Sequence, residues 1–321
     1  MLKYIFIMRL LRFIPLLALL TILSVRVNAQ GCSDAGFCSM GAMKPDQPYN
    51  KKIEFKLRSM EVSYYRASTT TTAKIMVANA EMNFSLNRKT SFQVKVPYLM
   101  ASGNLGKTSG LSDLSFCLTR NVFTSDKYDI NVTLGGKIPT NKSDIEDAGK
   151  PFPMYYQTSL GTYDAIAGAS LITRNWLFAA GIQYPFLHQN ENKFTDNKDW
   201  PDYPSPDYIL SHGPAYKLER GTDVMLRAER NFRFARINFS VGLLPIYRIN
   251  KDKIVDNVTD ERVEVDKTTG LALSGIVTAG YSFNVRSGLK LLLGRRLVHR
   301  EVNPDGLTRE SVTSLSYFYR F

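Results

Sequence analysis

Apolar and polar residues alternate with a period of two from Ile53 to the end of the chain, and helical periodicity is nearly absent. In one row Phe92, Val94, Val96 and Tyr98 alternate with Gln93, Lys95 and Pro97. In another, Trp176, Phe178, Ala180, Ile182, Tyr184 and Phe186 stand two apart. Ile237, Phe239, Val241 and Leu243 alternate with Asn238, Ser240, Gly242 and Leu244. The final segment sets Thr313, Leu315, Tyr317, Tyr319 and Phe321 against Ser314, Ser316, Phe318 and Arg320. This pattern predicts twelve strands, near residues 53–66, 71–86, 91–100, 111–123, 128–137, 158–171, 176–187, 222–231, 236–249, 270–283, 288–300 and 310–321. Most reach the ~9–11 residues that a tilted strand needs to cross a bilayer.

The lengths of the connections narrow the fold. Short polar turns at 87–90, 124–127, 172–175, 232–235 and 284–287 alternate with mostly longer connections at 67–70, 101–110, 138–157, 188–221, 250–269 and 301–309. Short turns on one rim and long loops on the other are the plan of a barrel in lipid, where every strand edge must find its hydrogen-bond partner within the chain. The expectation is an all-β, transmembrane, antiparallel up-and-down β-barrel of about twelve strands over residues 51–321, with both ends of the wall on the short-turn rim. A soluble, secreted sandwich also alternates, but it gives no reason for the rhythm of the loops. Tyr64, Tyr65, Tyr98, Trp176, Tyr184, Tyr247, Tyr281, Tyr317 and Tyr319 fall mostly near strand ends, as interfacial girdle residues do.

The first 29 residues change the picture by adding an export signal: Lys3, Arg9 and Arg12, an apolar run from Phe13 to Leu23, and Val27-Asn28-Ala29 before Gln30. The apolar run is too short for a spanning helix. A competing reading is lipidation at Cys32, although the usual leucine three positions earlier is missing. The signal carries four basic residues and no acid, so the formal charge of +12 falls to +8 in the mature chain. The basic residues are scattered along the sequence, which argues against a nucleic-acid partner. Residues 30–50 form an N-terminal segment, read either as a plug in the lumen or as a lead-in on the periplasmic side. Export permits a disulfide between Cys32 and Cys38, while Cys117 falls in a strand as a small apolar residue.

Three motifs resemble known outer-membrane proteins. The end of the chain, Tyr317-Phe318-Tyr319-Arg320-Phe321, resembles the signal read by the barrel-assembly machinery, with Phe321 as its terminal aromatic. Val96-Pro97-Tyr98, Gly103, Leu105 and Thr108-Ser109-Gly110-Leu111-Ser112-Asp113-Leu114 resemble a segment of the transporter family associated with phenol degradation (the MetA-pathway type), itself similar to FadL-type channels. Gln157-Thr158-Ser159-Leu160-Gly161-Thr162-Tyr163-Asp164, with Gly168 after it, resembles a second segment of that family, with Ser112 and Ser159 where glycines are usual. The resemblance implies passive uptake of small, often hydrophobic or aromatic, solutes across the outer membrane of a Gram-negative bacterium. Outer-membrane lipid, lipopolysaccharide and the assembly machinery would then be its partners. A barrel with a blocked lumen that displays its loops for adhesion or partner binding is the alternative.

Candidate chemistry is sparse. The three histidines, His188, His212 and His299, fit no hydrolase spacing, so no catalytic residue is expected. No phosphate loop or zinc spacing is present, and no cofactor is expected. Inward-facing candidates are more numerous. Asp113 and Asp164 open strands below outer loops, and Asn238, Ser240, Arg248, Lys290 and Arg296 alternate inward. Arg227 is ambiguous, and a bulge after Gly294 would bring Arg295 inward beside Arg296. These cations either draw anionic solutes or brace the wall against Asp113, Asp164, Glu81 and Glu229. The connection 188–221 carries Phe194, Trp200, Tyr203, Tyr208 and Tyr216 among four prolines. It is read either as folding into the mouth or as a surface loop packed on itself. The acidic connection 250–269 matches no calcium loop and reads as solvated.

Overall fold

The structure, a computed structural model, describes residues 40–44 and 56–321. The export segment, Cys32 and Cys38 lie outside the described residues. Seventeen strands are described. They are β1 (Lys56–Ser68), β2 (Lys74–Ser85), β3 (Thr90–Gly103), β4 (Gly106–Leu111), β5 (Leu114–Thr124), β6 (Tyr128–Ile138), β7 (Glu146–Asp147), β8 (Lys150–Pro151) and β9 (Thr162–Thr173). There follow β10 (Trp176–His188), β11 (Asp223–Arg233), β12 (Ile237–Arg248), β13 (Lys253–Val255), β14 (Arg262–Glu264), β15 (Gly270–Ser282), β16 (Ser287–Val298) and β17 (Ser311–Arg320). Twelve long antiparallel strands form the wall, and β7–β8 and β13–β14 are small hairpins within the outer loops.

The wall closes on itself. β1 pairs with β17 over ten residue pairs from Ser59↔Arg320 to Ser68↔Ser311, and β2 pairs with β1 on its other side. The backbone N–H of Phe321 extends the seam by donating to the carbonyl of Arg58 at 2.9 Å. Closure follows from the residue pattern, because the outward face of each strand is apolar and has no water partner for a free edge. On β10, Trp176, Phe178, Ile182, Tyr184 and Phe186 are exposed, whereas Leu177, Ala179 and Gln183 are buried. Leu134 on β6 is 67% exposed and its neighbour Thr133 is 1% exposed. The apolar side chains face out and the polar ones in, the reverse of a water-soluble domain.

Four sequence expectations are corrected in the wall. The connection 101–110 is mostly strand: β3 runs to Gly103 and β4 returns along it from Gly106. Its Gly-Lys-Thr-Ser-Gly run shows no apolar alternation, so the periodicity missed it. β4 and β5 form one line broken by a slip of one residue, since Tyr98 faces Leu111 but Lys95 faces Ser115. Near the top of β16 the register shift falls at Leu297, not after Gly294, so Arg296 points in and Arg295 stays exposed. Tyr65 leaves the girdle, for the alternation of β1 that turns Tyr64 outward turns Tyr65 inward.

The fourth correction concerns charge. Basic residues scattered in the sequence are gathered in space, because the tight turns that separate them all lie on one rim. The five short turns between wall strands hold Arg88, Lys89, Lys127, Arg174, Arg236 and Arg286 against the single acid Asp126. Among the described residues, the connections on the opposite rim hold twelve cations and eighteen acids.

Candidate functional site

Beneath the outer loops, the wall holds a layer of buried charge. Arg248 at the top of β12 reaches three carboxylates. Its Nη1 donates to both oxygens of Asp252 at 2.8 Å, its Nη2 to Asp223 at 2.8 Å and to Asp305 at 2.9 Å, and its Nε to Asp223 at 2.9 Å. Arg220 joins from the loop side, with Asp223 at 3.1 Å, Asp305 at 3.3 Å and Asp164 at 3.6 Å. Lys137 bridges Asp164 at 3.3 Å and Asp113 at 3.0 Å, and Gln183 also donates to Asp164. Asp113 sits at the β4–β5 slip, which aims it inward to accept from Ser159 Oγ at 2.6 Å and from the Leu160 N–H at 3.2 Å. Arg300 lies 3.8 Å from Asp305.

This layer counts four cations and five acids, every side chain under a tenth exposed. Opposite charges so close and so dry bind strongly, and the forked guanidinium of Arg248 satisfies several carboxylate lone pairs at once. Burial alone would push Asp305 up, yet Arg248, Arg300 and Arg220 hold it well below the usual carboxylate range. Asp252 goes the other way: burial raises it, Asp305 adds to the rise, and Arg248 does not cancel both. Burial lowers Arg300, and the like charge of Arg248 lowers it further.

Above this layer the outer loops turn inward. The helical turn Pro206–Leu210 and the 3-10 turn Met154–Tyr156 bring Ile209, Phe194, Trp200, Tyr155 and Tyr156 into one apolar cluster with Ile75, Val77, Leu99 and Val312 of the wall. Trp200 donates from Nε1 to the Pro151 carbonyl at 2.8 Å and packs on Phe152 with ring centroids 5.5 Å apart. Tyr203 stacks on Tyr208, whose Oη donates to the Thr71 carbonyl at 2.9 Å on the facing rim. The connection 188–221 therefore folds into the mouth. At its centre His212 is 1% exposed, ringed by Tyr155, Tyr156, Phe194 and Tyr208. Its Nδ1 lies 2.9 Å from the Tyr208 carbonyl, so this nitrogen carries the proton. Nε2 has no hydrogen-bond partner among the described residues, and burial lowers the pKa of the ring.

On the other side of the lumen, Met40–Lys44 lie inside the wall. Gly41 adopts φ +51°, and a Cβ there would meet Thr133 Cγ2 at 2.5 Å, so only glycine fits. Its N–H donates to Gln93 Oε1 at 2.8 Å. Met43 is fully buried among Ile166, Ala179, Met225, Leu244 and Ile276. Lys44 Nζ donates to Glu61 at 2.9 Å and also to Glu81, and Lys290 shares Glu61 at 3.2 Å. A cavity of about 130 Å³ lies beside Lys44. Tyr65, Val77, Leu292 and Val312 line it together with Lys95, Arg227 and Lys290 and the acids Glu61 and Glu81.

Of the residues singled out in the sequence, Asp113, Asp164, Arg248, Lys290, Arg296 and Arg227 all face inward. The two motifs around Asp113 and Asp164 meet, joined by Lys137 and by the Ser159 hydroxyl. Arg227 takes Glu229 at 2.7 Å, one of the expected acids, but the other partners differ: Arg248 takes Asp223, Asp252 and Asp305, and Lys290 takes Glu61. Arg296 faces Glu310 at 3.5 Å, and its Nε and Nη1 have no hydrogen-bond partner among the described residues. Lys137 and Asp223 were legible from alternation but were not singled out. Asp252, read with its connection as solvated, is instead buried against Arg248, and Asp305 and Arg220 sit in aperiodic loops that carried no signal.

No family model and no curated protein matches this chain. Among solved structures, it is similar to an outer-membrane channel from Pseudomonas putida F1, with 15% identity and a TM-score of 0.57 over 86% of this chain and 99% of that one. The KdgM porin in complex with disordered oligogalacturonate gives 6% identity and a TM-score of 0.43 over 82% and 99%. The NanC porin gives 10% and 0.44 over 83% and 99%. The fold is that of an outer-membrane β-barrel of Gram-negative bacteria.

Proposed function

We propose that this chain is an outer-membrane channel for passive movement of small solutes, held shut in the conformation described. The observation that carries this reading is a polar, charge-lined interior with a cavity inside a cylinder whose outer face is apolar. A wall that needed only to display loops could fill its interior with apolar side chains. The interior charges are paired, as Lys44 is with Glu61 and Glu81, which keeps the lumen polar and electrically quiet. Selectivity then lies in the cavity, where Val77, Ile276, Leu292 and Val312 share the lining with Lys44, Lys95, Arg227 and Lys290 and with the acids Glu61 and Glu81. That lining suits a small solute with an apolar or aromatic body and a polar end. Trp200, Tyr203 and Tyr208 form the outer gate, and Met40–Lys44 act as a plug. Phe321 and its strand serve as the assembly signal.

Planar-bilayer recording of the mature chain tests the reading. Wild type is expected to open rarely, and a deletion of residues 192–218 to give long-lived current steps. Unchanged conductance in a deletion that still folds would refute the gate. A lumen that conducts in neither form would make this a display barrel.

A further inference from the structure

The two rims of the wall differ in charge. On the short-turn rim the turns contribute six cations and one acid, as described above. The adjoining strand ends add Lys56, Arg58, Arg120, Arg230, Arg233 and Arg320 against Asp129. Turn-tip apolar residues stand beside these cations. Val285 is 88% exposed, Phe234 is 65% exposed, and Leu86 precedes Arg88 and Lys89. In water alone such tips would be a liability, since exposed apolar surface without a partner favours association. At the boundary between headgroups and acyl chains both features are satisfied together: the tips enter the apolar edge, and the long Arg and Lys stems carry their charges outward to phosphate.

From this juxtaposition we propose that the short-turn rim is a binding collar for anionic phospholipid headgroups, phosphodiesters such as phosphatidylglycerol, in the leaflet that faces the chain ends. The cations attract the phosphate, and the guanidiniums fork onto its oxygens. A soluble polyanion would use the charge but would leave Val285 and Phe234 in water, which is why the partner is lipid. The opposite rim also exposes apolar residues, Val258 and Leu210 among them, but its connections hold more acids than cations, so it would repel the phosphate. The inference is independent of what the lumen passes, because every residue in it lies at the rim.

The test presents the purified mature barrel in neutral detergent with equal amounts of phosphatidylglycerol and phosphatidylethanolamine, and counts retained lipids by native mass spectrometry. Wild type is expected to favour phosphatidylglycerol by about tenfold, and the preference to vanish near 1 M salt, where the Debye length is ~3 Å. A variant with Arg88, Lys89, Lys127, Arg174, Arg233, Arg236 and Arg286 all changed to Gln should lose the preference. A matched variant with Lys142, Lys193, Lys198, Lys217, Lys251, Lys253 and Lys267 changed to Gln should keep it. Equal retention of the two lipids by wild type, or equal loss in both variants, overturns the proposal. So does displacement of the lipid by equimolar inorganic phosphate, or capture of a heparin fragment without any lipid preference. The salt titration uses wild type alone, so the proposal stays falsifiable even where a variant fails to fold.

Discussion

Replacing Arg248 with methionine is the sharpest test of the buried charge layer. Methionine keeps most of the stem's volume and removes the cation, leaving Asp223, Asp252 and Asp305 facing one another with Arg220 and Arg300 as the remaining nearby guanidiniums. Breaking a buried pair by removing one partner costs ~3–5 kcal/mol, because the other charge is left without compensation. Three carboxylates lose a donor here, so the upper end, ~5 kcal/mol, is expected. The sign of the pH dependence follows from the same geometry. Asp305 is held low by the arginines, so in wild type its stabilising contribution is present above the unfolded carboxylate pKa and is lost as pH falls. Without Arg248 the carboxylates rise and take up protons in the folded state. The deficit of the variant should therefore shrink as pH falls from about 8 to about 5. Urea unfolding in micelles, followed by tryptophan fluorescence and by heat-modified mobility on gels, measures both. A deficit below about 1 kcal/mol, or one that does not change with pH, would refute the claim that Arg248 is the electrostatic centre of the layer.

Three further outcomes follow from the cap and the N-terminal segment. His212 is neutral and its pKa is lowered by burial, so closure is favoured above the ordinary histidine pKa of ~6.5 and weakens as pH falls through it. Open time in bilayer recordings should rise between pH 7.5 and 5, and His212→Phe should flatten that response. Trp200→Ala removes the packing on Phe152 and the bond to Pro151, and should loosen cap docking by ~3 kcal/mol, read as faster proteolysis of the loop with the wall intact. Gly41→Leu has no room beside Thr133 and a backbone that L side chains rarely adopt, so it should expel Met40–Lys44 and raise conductance; unchanged current would count against a plug.

Much of the wall was legible because lipid and lumen impose opposite demands on alternate residues. The wall strands from β9 to β17 fall within a few residues of the alternation, whereas the hairpin β13–β14 lies in a connection read as loop. The strict exchange of short turns and outer connections also held. What alternation cannot carry is any feature made by a change of register or by residues distant in the chain. The slip at Ser112–Asp113 and the shift at Leu297 each depend on one extra residue, invisible to a period of two. The pairing of Arg248 with Asp252 and Asp305 depends on where two loops return, and loops have no period. The direction of the connection 188–221 was undecided for the same reason: its aromatics announce packing but not a partner. The basic rim escaped notice because each turn contributes one or two cations, and nothing local joins them.

The seam between β1 and β17 has a consequence for how this molecule is made. Its ten residue pairs join the first strand of the wall to the last, so neither strand has its full set of neighbours until both ends of the chain have met. A half-built wall carries two raw borders rather than one, and each added hairpin moves a border without removing it. Release into lipid before that final stitch would leave a strip of bare amides in hydrocarbon. Only when the last strand meets the first are both borders removed together, after which the cylinder has no starting point left from which to fray.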